Sequence, residues 1–308
     1  MVRAQLVGCL MLCGSTYALP LANALQRRHD HEPMCGLDKD LSSYRVVDNV
    51  VGLFVILGFS FVGCGVAAAA GRMGVHGLLV DMGRHFGTGV IISTGFVHML
   101  MAAIEHLTSP CAPEAIREYS AFGCVVAIGS GLLMHLIEQV GGCCEATGQK
   151  SHDLTTYLLE VGILSHSVLI GLSLGVASGK EFLVLLIAIT FHQFFEGVAL
   201  GVRIGELSGR FKPFMMVVTF SVVTPISILI GIGIRHLYSE NTTTSSLTMG
   251  ILDAISAGIL IYTGLVVLVG RDLSAGSDSA ACPPKTRSLH LTSLYLGVAA
   301  MAVIGIWA

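Results

Sequence analysis

Eight stretches of this chain are long and apolar enough to cross a lipid bilayer, and nothing else limits its fold so tightly. They lie at about 47–70, 87–107, 119–140, 155–178, 182–203, 213–234, 249–270 and 289–308. About 20 apolar helical residues cover the roughly 30 Å hydrocarbon core. Lipid offers no hydrogen-bond partner to an open backbone, so such segments must be helices. Of the 308 residues, 53% are hydrophobic and 12% charged, whereas a soluble domain carries about 25% charge. The sequence therefore predicts an all-α integral membrane protein of eight transmembrane helices. Its net charge of −3 gives no attraction to nucleic acid.

Residues 1–20 read as a secretory signal peptide: Arg3, the apolar run LVGCLMLC, then small residues, a run too short to span. Residues 21–46 form a polar extracytoplasmic tail, and 47–308 the eight-helix transmembrane domain. Loops after spans 1, 3, 5 and 7 carry Arg72, Arg84, Lys150, Arg203, Arg210, Lys212, Arg271, Lys285 and Arg287. The other loops carry only Arg117, Lys180 and Arg235. Basic residues stay on the cytosolic side, so both termini are expected outside. The glycosylation acceptor sequence at Asn241 then also lies outside, as it must to be used. The nine cysteines include no CxxC pair. Cys35 and Cys111 both fall outside in this topology, and whether they pair is left open.

Inside the spans lie His98, His135, Glu160, His166, His192, Glu196 and Asp253, without one Lys or Arg. An ionisable group at mid-bilayer costs roughly 2.5–3.5 kcal/mol on insertion scales, so it faces a cavity or a partner. An interior of acids and imidazoles suits a cation. His192 and Glu196 are one helical turn apart and share a face, with Gln193 beside them. His166, followed by Ser167, comes from the preceding span, which runs the opposite way. Gly171 and Gly175, and Gly197, Gly201 and Gly205, recur at four-residue spacing and let helices approach closely. His135 reads as a packing residue. For Glu160 and Asp253, helix pairing and a part in transport weigh equally.

HSVLIGLSLG from His166 and HQFFEGVALG from His192 share His, Gly, Leu and Gly at equivalent places. Together they resemble the fourth and fifth transmembrane helices of the Zrt/Irt-like (ZIP) metal transporters. STGFVHML in span 2, DAISAGILIY in span 7 and the terminal IW extend the resemblance over nearly all the chain after residue 45. It implies a ZIP-type bundle with an inverted repeat that imports a divalent metal, Zn²⁺ or Fe²⁺, into the cytosol. The metal is cargo, so no cofactor is implied. His166, His192 and Glu196 would line a midplane site, Gln193 and Ser167 would assist, and His98 and Glu105 would form the access path. Ile170 and the span 6 residues Ser221 and Thr224 stand where some relatives carry acids, which favours one bound ion over two.

Rival readings are an intramembrane zinc hydrolase and a metal-sensing membrane protein without flux. The hydrolase would need a ligand set plus a separate base, and HQFFE supplies one acid for both. His29, His31, Glu32 and Cys35 in the tail read equally as metal handles or as a hydrophilic leader; Cys143, Cys144 and His152 in the third loop are the metal handles there, but a solvated loop is the favoured reading. The signal-like leader and the acceptor sequence point to the plasma membrane, with an endosomal or lysosomal membrane as the alternative. The expected partners are the metal ion and the lipid bilayer; a homodimer is left open.

Overall fold

A computed structural model describes residues 44–72, 78–143, 148–207, 209–235, 242–270 and 284–306. The leader, the tail up to residue 43, Asn241, Cys35 and Cys144 lie outside the described residues, as do the side chains of Cys143 and His152. Eight helices are long and apolar enough to cross a membrane: Val46–Arg72, Asp81–Thr108, Phe122–Val140, Thr156–Val176, Gly179–Gly205, Phe211–Ile234, Thr243–Leu268 and Lys285–Ile304, called spans 1 to 8. The face at which span 1 begins is called the near face and the opposite one the far face.

Two helices outrun the apolar segments that reveal them. The helix of span 4 begins at Gly148 and the helical run of span 2 at Leu78. Polar residues that end a hydropathy run, such as Asp81 and Arg84, do not end a helix, because their side chains reach out of the hydrocarbon. Arg203 departs from the expectation of a loop residue. It is buried inside the helix Gly179–Gly205 and donates from Nη2 to Thr88 Oγ1 at 3.1 Å.

The bundle carries the inverted repeat in its packing. Span 1 packs on span 5 as span 6 packs on span 4, and span 2 packs on span 8 as span 7 packs on span 3. Glycines make the first of these pairs close. A Cβ on Gly205 would stand 3.0 Å from Gly71 Cα in span 1, and one on Gly175 would stand 2.9 Å from Gly231 Cα in span 6. Spans 2 and 7 are each interrupted by a six-residue π-helical turn, Thr94–Met99 and Thr263–Leu268. Matching irregularities in corresponding helices follow from one structural unit used twice in opposite orientations.

The near end of span 4 is closed by a side chain rather than by its own sequence. Asn49 Nδ2 donates toward the carbonyls of Leu174, Gly175 and Ala177 at 2.9–3.2 Å, groups that a helix C-terminus leaves unpaired. Tyr44 adds a hydroxyl donated to Gly175 O at 2.7 Å.

Candidate metal site

Three imidazoles converge in the middle of the bundle. The ligand atoms offered by His98, His166 and His192 lie within 4.8 Å of one another. Ring centroids are 5.0 Å apart for His98 and His166, 4.9 Å for His98 and His192, and 5.8 Å for His166 and His192. Spans 2, 4 and 5 each contribute one. His166 and His192 meet because their helices are antiparallel neighbours with histidine at matching depth. His98 joins them from within the π turn of span 2, where one extra residue per turn widens the coil and re-aims the side chain. The residue expected at the mouth beside Glu105 therefore sits on the floor of the site.

The surroundings prepare these rings for a cation. His166 and His192 are buried, as are Ser167, Gln193, Glu196 and Asp253. Asp253 Oδ1 lies 2.9 Å from His166 Nδ1. A carboxylate can only accept, so Nδ1 carries the proton and Nε2 keeps its lone pair, the tautomer a metal needs. Nε2 of His166 is buried without a hydrogen-bond partner. Glu196 Oε2 stands 3.3 Å from His192 Nε2, one turn away on the same helix. Both carboxylate oxygens of Glu196, both ring nitrogens of His192, both amide atoms of Gln193 and Ser167 Oγ are buried without hydrogen bonds. Buried polar groups are nearly always satisfied; a cluster of unsatisfied ones is a site made for something to occupy.

Among the described residues, a cavity leads to the site from the near face. Its volume is about 190 Å³, and it is lined by Glu105, His106, Met249 and Gly305 toward the near face and by His98, His166 and Asp253 at its bottom. Toward the far face Cys64, Leu159, Ile163, Leu200, Met216 and Phe220 form a packed apolar core. Glu105 thus lines the cavity and His98 its bottom. Asp253 was readable as an acid in span 7, but its role depends on His166, 87 residues away in sequence. His135 faces outward, with Nδ1 3.0 Å from the Tyr262 hydroxyl, which donates to Glu138 at 2.8 Å. That group lies apart from the site.

The ZIP zinc transporter family model matches residues 144–305. Zinc transporter 3 of Arabidopsis thaliana is 34% identical over 259 residues, covering 73% of this chain and 73% of that protein. Fe(2+) transport protein 1 of Arabidopsis thaliana is 31% identical over 297 residues, with 84% and 85% covered. Zinc-regulated transporter 1 of Candida albicans is 32% identical over 250 residues, 73% of this chain but 53% of that protein. With spans 4 to 8 inside the matched region and relatives aligned along most of its length, this chain belongs to the ZIP family.

Proposed function

We propose that this protein carries a divalent transition metal, Zn²⁺ or Fe²⁺, from outside into the cytosol through the site formed by His98, His166, His192 and Glu196. The convergence of three imidazoles under a cavity open at one face carries this reading. Gln193 and Ser167 supply neutral oxygens beside the ion, and Asp253 orients His166. Imidazole and carboxylate together favour Zn²⁺ or Fe²⁺ over Ca²⁺. Relatives named for zinc and for Fe²⁺ support both candidates. The distribution of basic loop residues makes the near face the outside, and the leader points to the plasma membrane.

A hydrated cation enters past Glu105 and His106 and exchanges water for protein nitrogen. Zinc binds imidazole at ~2.0–2.1 Å, which in a tetrahedral shell sets nitrogens about 3.3 Å apart. The three ligand atoms lie within 4.8 Å of one another, and binding draws any wider spacing in to the tetrahedral value. That contraction couples the ion to spans 2, 4 and 5, and so to movement of one repeat against the other. Uptake of radioactive zinc and iron by cells expressing His192→Ala or Glu196→Ala tests the proposal. Both variants should lose uptake at normal surface expression; wild-type rates in both would refute it. Competition among Zn²⁺, Fe²⁺ and Mn²⁺ in the same assay names the cargo.

A further inference from the structure

Glu160 is an acid for which the site above has no use. It lies in span 4, six residues and ~9 Å from His166 toward the far face. Its residue is 6% exposed, and Oε1 is buried without a hydrogen-bond partner. Among the described residues no Lys, Arg or His pairs with it. Its surroundings are the apolar core that closes the far half, with Leu159 and Ile163 on its own helix. Cys64 of span 1 belongs to that same core. An unpaired carboxylate in such a place is costly, and a leucine there would pack without that cost.

The position of Glu160 on the helix is informative. Seven residues are close to two turns, so Glu160 lies on the same face as Ser167, and Thr156 is one turn further. All three are buried, which gives span 4 a polar seam from the midplane toward the far face. Just past Glu196 the packing is tight: a Cβ on Gly197 would stand 3.0 Å from the backbone nitrogen of Cys64 and 3.0 Å from the Phe220 ring. Glu160 therefore stands below the imidazole site, where an ion leaving toward the far face would next need a ligand.

We propose that Glu160 is a second cation station, which takes the divalent metal from the midplane site when the far half opens. The inference rests on the transport reading above. The test measures metal binding to purified protein and the concentration dependence of uptake for wild type, Glu160→Gln and Glu160→Asp, normalised to surface protein. Glu160→Gln should load the midplane site from the near face as wild type does. Its maximal uptake rate should fall about tenfold, the lower end of what losing a carboxylate beside a metal's ligands costs, with KM unchanged. Glu160→Asp should recover part of the rate. Wild-type uptake by Glu160→Gln overturns the station. So does loss of midplane binding in that variant, because the carboxylate would then be holding the fold. Uptake by His192→Ala at the wild-type rate would instead refute the transport reading itself.

Discussion

Replacing Asp253 by Asn tests whether the site works through a held imidazole or merely a nearby one. The change preserves shape and removes the charge. In the wild type the carboxylate 2.9 Å from His166 Nδ1 makes that nitrogen the proton carrier and raises the basicity of Nε2. An amide can offer its NH₂ to Nδ1 instead, which moves the proton to Nε2 and blocks the metal-facing lone pair. Loss of such a partner costs about 10–100-fold in affinity or activity, which is about 1.4–2.8 kcal/mol at 1.4 kcal/mol per decade. The burial of both side chains, 2% exposed for His166 and 3% for Asp253, keeps water from substituting for the lost acceptor. The assay is competition for zinc between purified protein and a chromophoric chelator, repeated in a His166→Ala background. Asp253→Asn should weaken binding by that factor alone and add almost nothing once His166 is gone. Equal effects in both backgrounds would refute the positioning argument and make Asp253 an independent ligand.

Two further outcomes follow from the same geometry. Metal needs neutral imidazole, so once the rings begin to take up protons apparent affinity should drop more than tenfold per pH unit; uptake measured at subsaturating zinc that stays flat from neutral to acid pH contradicts a three-imidazole site. Gly175→Val would drive a branched side chain into Ile228 O at 2.5 Å and Gly231 Cα at 2.9 Å; overpacking of this kind costs about 1–3 kcal/mol, to be read as a lowered melting temperature in detergent, and an unchanged transition would mean that spans 4 and 6 do not touch there.

The eight spans are legible in the sequence because the bilayer imposes one length and one chemistry on all of them. His192 with Glu196 is legible because i and i+4 share a helix face whatever surrounds them. His98 is not, because its aim depends on the π turn Thr94–Met99, and a strict 3.6-residue count places the side chain elsewhere. Asp253 is visible as a misplaced acid but not as a partner, since a contact across 87 residues has no local signature. The repeat is half legible. Spans 4 and 5 retain matching motifs, whereas spans 1 to 3 and 6 to 8 match only in packing and in their π turns. Packing geometry tolerates a change of apolar residue; a metal site does not tolerate a change of ligand.

The symmetry of the backbone makes the asymmetry of its side chains meaningful. Gly71 against Gly205 and Gly231 against Gly175 are one contact made twice, toward the far face and toward the near face. A two-fold bundle that can close the far half over Phe220 while opening the near half has, by the same packing, a second arrangement with those roles exchanged. The acids do not follow the two-fold. Six residues before His166 stands Glu160, and six residues before His192 stands Leu186. Glu105 lines the near cavity, while Glu160 is sealed in the far core. On the proposed transport path an ion would pass three imidazoles and Glu196 between two carboxylates, one lining the near cavity and one buried in the far half. If both arrangements are populated, metal is offered a ligand at each stage without a continuous open path through the membrane, and the one-sided cavity is the half of that cycle this structure captures.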